Sequence, residues 1–134
     1  MEEAERAEPH PRLEERPTVL VVEDDEDLRA VVSAILGDAG FHVEEAEHGR
    51  EALERIAEGV RPCLVLLDLK MPVMGGREVL LIRRRIPALT RIPFVVTTAY
   101  PQLLEERPLG TAVLRKPFHV DELIAVVRRL CGAP

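Results

Sequence analysis

The sequence predicts an α/β fold, a doubly wound parallel sheet, and three observations carry that expectation. Short apolar segments and amphipathic segments alternate along the chain through five repeats. The apolar segments are rich in β-branched residues and lack polar alternation, as strands covered on both faces do. The segments between them place apolar residues at helical spacing on one face. Right-handed crossovers between parallel strands then put helices on both sides of the sheet.

Thr18–Val22 supplies VLVV to a first, central strand. Residues 27–39 follow as a helix, with Leu28, Val31, Val32, Ile35, Leu36 and Ala39 on one side, and Gly37 and Gly40 let the chain turn at its end. Residues 41–46 read as a second strand. Residues 49–59 form a helix carrying Ala52, Leu53, Ile56 and Ala57. The stretch 63–69, CLVLLDL, is the most apolar and reads as a fully buried third strand. Pro72 and the Gly75-Gly76 pair mark a loop over 71–76. A helix over 78–86 ends in Arg83, Arg84 and Arg85, which suit the negative end of a helix and are expected on a solvated face. Residues 93–98, PFVVTT, form a fourth strand and Thr111–Arg115 a fifth. The last helix, 121–130, is apolar at Leu123, Ile124, Val126, Val127 and Leu130, with Asp121 and Glu122 in its first turn.

The chain has 134 residues, enough for one domain with a real core. A net charge of −6 opposes direct nucleic-acid binding, because phosphates would be repelled. Aromatic residues make up only 3% and Trp is absent, so a base-stacking platform is excluded. Cys63 and Cys131 show neither a CxxC pattern nor metal-ligand spacing, and are expected to be reduced thiols of a cytoplasmic protein. Residues 1–17, rich in Glu, Arg and Pro, are expected to be a disordered tail, either functional or a start-site extension; they contain no secretory h-region. No apolar run approaches the roughly 18 residues needed to span a membrane, so no membrane insertion is expected.

The chemistry concentrates at strand ends. Asp68 closes an otherwise apolar strand and should emerge at the carboxyl edge of the sheet, where ligands bind in open α/β folds. The ordinary alternative is a turn or cap residue. Glu23, Asp24 and Asp25 follow directly on VLVV and emerge at the same edge. Adjacent acids raise one another's pKa unless a cation lies between them, and a hard divalent ion such as Mg²⁺ suits oxygen ligands. Helix N-terminal chemistry accounts for Asp25 and Glu26 equally well. Thr98 ends the fourth strand and Lys116 the fifth, so a hydroxyl and an ammonium join the same edge. A carboxylate and cation site closed by these groups is what a phosphoryl group requires, since its transfer rests on positioning and charge neutralisation. Singly, Thr98 reads as a strand-end residue and Lys116 as a snorkelling lysine; the coincidence of all four strand ends is the signal.

These segments, VLVVEDDEDLR at 19–29, LVLLDLKMPVMGG at 64–76, TTA at 97–99 and KPF at 116–118, resemble the receiver domain of bacterial two-component response regulators over residues 18–131. The resemblance implies a five-stranded sheet in order 2-1-3-4-5 with five helices, residues 132–134 being a short C-terminal tail. It implies that Asp68 is the phosphoacceptor. Glu23, Asp24 and Asp68, with the backbone carbonyl of Lys70, would hold Mg²⁺. Thr98 would bond the phosphoryl group and Lys116 would pair with it. The implied partners are a histidine kinase or histidine phosphotransfer protein upstream and a protein target downstream, acting on a monomer or weak dimer. The chain would be a signalling phosphoacceptor rather than an enzyme. Two other readings fit parts of the pattern: a receiver-fold interaction module with little or no phosphorylation, and a haloacid-dehalogenase-type phosphohydrolase. The second asks for an acid two residues past the nucleophile, where this chain has Lys70.

Three features depart from the family pattern. The segment from Thr98 to Lys116 is short and contains Pro101 and Pro108, so its helix is expected to be short, irregular or absent. Val113 stands where many members carry an aromatic switch residue. Tyr100 is expected on the loop surface, the alternative being that it covers the site. After Leu130 only Cys-Gly-Ala-Pro follows, which fits a single-domain regulator or a piece of a longer protein.

Overall fold

The computed structural model describes residues 16–71, 73–104 and 111–132. The expected tail lies outside these residues except for Arg16 and Pro17, and Pro17 already joins the sheet by accepting a hydrogen bond from His42 N at 3.0 Å. The elements follow in the order β1 (Thr18–Val22), α1 (Glu26–Asp38), β2 (His42–Ala46), α2 (Gly49–Ala57), β3 (Leu64–Asp68), α3 (Gly76–Arg85), α4 (Pro87–Thr90), β4 (Phe94–Thr98), a 3₁₀ turn (Pro101–Leu103), β5 (Thr111–Arg115) and α5 (Val120–Cys131). All strand pairs are parallel and the sheet order is β2-β1-β3-β4-β5, as the resemblance implies.

Successive residues of a strand point to opposite faces, so each strand feeds two cores. Val19, Val21, Leu64, Leu66 and Val95 pack under α1 and α5 against Val32, Leu36, Leu123 and Val127. Leu20, Val22, Val65, Leu67, Phe94 and Val96 pack under α2 and α3 against Ala52, Val79 and Leu80. β3 and β4 are buried at every position, which is why they carry no polar alternation. Burying each Val or Leu side chain contributes about 1.5–3 kcal/mol. Helix starts are set locally. Asp25 caps α1 by accepting from Leu28 N at 3.1 Å, and Glu122 reaches back to His119 N at 2.9 Å at the start of α5.

Between β4 and β5 the described residues contain only the 3₁₀ turn, with Pro101 at its first position, where the missing N–H is tolerated. Residues 105–110 lie outside the described part.

Two expectations are corrected. The first is that Arg83 is solvated. Arg84 and Arg85 are exposed, but Arg83 is 2% exposed. Its guanidinium donates to the carbonyls of Thr90 and Ile92 at 3.3 and 2.9 Å and sits 4.9 Å from the centre of the Phe94 ring. The planar fork thereby satisfies the carbonyl that ends α4 and one on the turn into β4.

The second is that the cysteines are free. Cys63 and Cys131 form a disulfide, with their Cα atoms 5.4 Å apart across a sequence separation of 68. The physical reason is topological. α5 runs back against the strands, so its last residue arrives at the amino edge of the sheet, where Cys63 introduces β3. Nothing in the linear spacing marks that meeting.

Candidate functional site

Parallel strands deliver their final residues to one edge, and side chains emerging there converge. β1 hands over Glu23 and Asp24, β3 ends at Asp68, β4 ends at Thr98, and β5 hands over Lys116. Val22 is in register with Leu67, and Asp68 with Thr97. The two acidic strand ends are therefore immediate neighbours, with the hydroxyl-bearing strand on the far side of Asp68.

Carboxylate oxygens of Glu23, Asp24 and Asp68 lie within 4.8 Å of one another. Glu23 and Asp68 are buried and Asp24 is exposed. Lys116 Nζ bridges the buried pair, donating to Glu23 Oε1 at 2.8 Å and Asp68 Oδ1 at 3.2 Å. Backbone amides add to this: Asp25 N donates to Glu23 Oε2 at 3.2 Å, and Lys70 N–H bonds to the Asp68 carboxylate.

One ammonium facing three carboxyl groups leaves negative charge in excess. Burial, with the Asp68 charge adding to it, pushes the Glu23 carboxyl up to about 7 from its ordinary 4.5, against the hydrogen bonds from Lys116 and Asp25. Burial likewise raises Asp68, and Lys116 only partly resists. For Lys116 burial acts downward, but the Glu23 hydrogen bond and the two carboxylates outweigh it and hold the amine above its ordinary value. An oxygen-only donor set with uncompensated charge suits a hard divalent cation, so the residues present fit the metal site that the fold implies.

That imbalance has a stability consequence. A carboxyl raised from 4.5 to about 7 holds its proton more tightly in the folded chain than in the unfolded one. Its contribution is complete below pH 4.5, falls as pH rises through that window, and is gone above 7. The shift is on the order of 3 kcal/mol as an upper figure. Lys116 titrates far above this window. In chelator, the parent is expected to lose stability to urea between acid and neutral pH, and Glu23→Gln is expected to flatten that slope. Equal slopes in the two proteins would contradict the assignment.

Residues around the cluster fix its shape. Arg29 on α1 is buried, donating from one guanidinium nitrogen to Glu23 O at 2.8 Å and from Nε to Glu45 Oε1 at 3.0 Å. It thereby ties the β1–α1 turn, which carries the acids, to β2. Sequence reasoning passed over Arg29, although it falls at helical spacing with the buried Val32 and Leu36, a signal that the side chain points inward. Thr98 is buried and its Oγ1 accepts Tyr100 N at 3.0 Å, while its carbonyl accepts Lys116 N at 2.8 Å. Thr98 thus pins the lysine-bearing loop from the neighbouring strand, and its own O–H remains able to donate. Tyr100 is 54% exposed, in keeping with a surface position.

Gly76 is where the backbone permits no side chain. A Cβ there would meet Asp68 O at 2.7 Å and Leu69 Cα at 2.9 Å, both backbone atoms. Gly76→Ala is expected to push the end of β3 away from α3 and to destabilise by about 1–3 kcal/mol, measured as a lower urea midpoint at unchanged slope.

Of the sequence-derived site residues, the structure brings together Glu23, Asp24, Asp68 and Lys116. It sets Thr98 beside them on the next strand. For Lys70, whose backbone carbonyl the resemblance assigns to the metal, the contact seen at the Asp68 carboxylate is its backbone N–H.

A doubly wound five-stranded sheet whose carboxyl edge gathers acids, a threonine and a lysine defines the class of receiver domains. Comparison with known proteins agrees. The response regulator receiver domain profile matches residues 19–128. The transcriptional regulatory protein CpxR homolog of Haemophilus influenzae is 36% identical over 117 residues, covering 84% of this chain and 49% of that protein. Sporulation initiation phosphotransferase F of Bacillus subtilis is 32% identical over 115 residues, covering 83% of this chain and 90% of that one. The chemotaxis response regulator CheY4 of Vibrio cholerae superposes with a TM-score of 0.77 at 33% identity, covering 86% of this chain and 98% of that structure. The chain belongs to the response regulator receiver family of two-component signalling. It spans about half the length of the CpxR homolog. No helix among the described residues is long and apolar enough to cross a membrane.

Proposed function

We propose that residues 18–131 form a receiver domain that accepts a phosphoryl group on Asp68 from the phosphohistidine of a histidine kinase or phosphotransfer protein. The observation that carries this reading is the Lys116 ammonium shared between Glu23 and Asp68, 2.8 and 3.2 Å away, beside a cluster of carboxylate oxygens. An Asp68 oxygen attacks phosphorus, an O–P bond forms, the P–N bond breaks, and the donor imidazole leaves with the electron pair. Lys116 already donates to Asp68 and is placed to follow the charge onto the phosphoryl oxygens. Thr98 keeps its hydrogen bond from Tyr100 N while offering its own O–H to the new group. Glu23, Asp24 and Asp68, with the Lys70 carbonyl, would hold Mg²⁺, which neutralises charge on the phosphoryl oxygens when bound.

The product carries more negative charge than the carboxylate it replaces. That charge acts on Thr98 and Lys116, the residues that anchor the loops after β4 and β5, and so biases those loops between two arrangements. A protein target downstream reads the change. The chain acts as a signalling phosphoacceptor, assisting only its own phosphorylation and dephosphorylation, in the cytoplasm and as a monomer or weak dimer. Its net charge of −6 disfavours direct nucleic-acid contact.

Titration with fluoroberyllate tests the reading and separates it from a receiver fold used only as an interaction module. A saturable response that requires Mg²⁺ is expected. No response at any concentration of either ion would favour the interaction module.

A further inference from the structure

We propose that Cys63 and Cys131 form a thiol–disulfide modification site, a reversible cross-link between the base of β3 and the last turn of α5, exchanged with cellular dithiols. The pair stands at the amino edge of the sheet. Asp68 lies at the other end of β3, roughly 16 Å away at the rise of an extended strand, so the cross-link touches none of the acids. Both cysteines are only partly buried and lie against the core beneath α1 and α5. Each residue thus keeps part of its surface in solvent, the side from which an exchanging thiolate would approach.

The two ends of the bond are anchored unequally. Cys63 is held without it, because its N–H donates to Thr18 O at 2.8 Å and β3 is buried at every position. Cys131 is the final residue of α5, and Gly132 beyond it already has a φ of 84° outside the helix. Reduction thus leaves the sheet intact and leaves the end of α5 after Val127 held only by the packing of Leu130 and Cys131 on the core and by its last-turn hydrogen bond from Gly132 N to Arg128 O at 2.9 Å. α5 starts just after Lys116 and Phe118, so redox state bears on the helix that follows the lysine loop.

The compartment makes this a site of exchange. Disulfides are rare in the reducing cytoplasm, and those found there are usually transient; this step rests on the cytoplasmic placement proposed above. A dithiol thiolate attacks one Sγ, the S–S bond breaks, and a mixed disulfide forms as the other cysteine leaves. The second thiol of the dithiol then displaces the first cysteine. Two electrons and two protons pass to Cys63 and Cys131, and the dithiol ends as a disulfide.

The test equilibrates the whole chain in glutathione buffers from fully reduced to fully oxidised, and separately with the dithiol protein thioredoxin. Samples are acid-quenched, alkylated and weighed, and parallel samples undergo hydrogen exchange. A single two-electron transition within the buffer series is expected, driven to the reduced side by thioredoxin. Amides at the end of α5 are expected to exchange on the order of tenfold faster in the reduced form, with β3 unchanged. Cys131→Ser is expected to show the reduced pattern in every buffer. Three results would overturn the proposal: both thiols alkylated throughout, a bond that thioredoxin leaves intact, or α5 exchange that is the same in both states. None of these readouts involves phosphorylation, so the outcome is separate from that of the phosphoacceptor reading.

Discussion

Asp68→Asn is expected to abolish phosphoryl incorporation while leaving the fold in place. The amide has nearly the shape of the carboxyl group and is no nucleophile towards phosphorus. Lys116 keeps its 2.8 Å partner in Glu23, so the lysine loop stays where it is. The charge beside Glu23 is removed, and one cause of its raised pKa goes with it. Above pH 7, metal-free Asp68→Asn is therefore expected to match or exceed the parent, by about 1 kcal/mol. Intact mass after incubation with a small acyl-phosphate donor reads the first effect and urea unfolding the second. Phosphoryl uptake by Asp68→Asn equal to the parent's would contradict the account.

Loss of the Cys63–Cys131 bond is expected to have the largest effect on stability. Closing a loop of 68 residues removes enough freedom from the unfolded chain to stabilise by about 4 kcal/mol, an upper figure for native disulfides. For a domain of this size the midpoint of thermal unfolding should fall on the order of 15 °C when the bond is reduced. Dithiothreitol should lower the parent's midpoint, and the double substitution of Cys63→Ser and Cys131→Ser should show the low midpoint with or without it. A midpoint that stays unchanged once thiol alkylation shows the bond reduced would mean that the bond contributes nothing to the folded chain.

The strands and the site were legible in the sequence for the same reason. A buried parallel strand is a continuous apolar run, so the residue that breaks the run is marked as an edge residue. Asp68 after LVLL and Glu23 after VLVV stand out in this way, and parallel pairing then dictates that they meet. Thr98 and Lys116 followed because their strands end at the same edge. Arg29, Arg83 and the disulfide did not stand out. Arg29 and Arg83 are cations on helices, where charge ordinarily means solvent; each instead satisfies backbone carbonyls that only the folded loops create. Cys63 and Cys131 meet because α5 returns to the base of the sheet, a long-range fact absent from the local pattern. The region between Thr98 and Lys116 was read correctly as short of regular helix as far as the 3₁₀ turn at Pro101–Leu103 extends.

The balance of charge at the carboxyl edge was legible only in part. Of the three acids in a row, Glu23 and Asp24 lie beside Asp68, the grouping the resemblance implies, and Asp25 caps α1, the helix N-terminal role the sequence also offered for it. Lys116, expected to meet a phosphoryl group, also bridges two of the acids, Glu23 and Asp68.

Chemical trapping of the acyl phosphate locates the phosphoryl group most directly. After incubation with a small phosphodonor and Mg²⁺, borohydride reduces an aspartyl phosphate to homoserine, and peptide sequencing by mass then shows which residue has been converted. Conversion at position 68 alone is predicted. Conversion at Asp24 or any other acid, with Asp68 intact, would contradict the claim that Glu23, Asp24 and Lys116 are arranged around Asp68 as the acceptor.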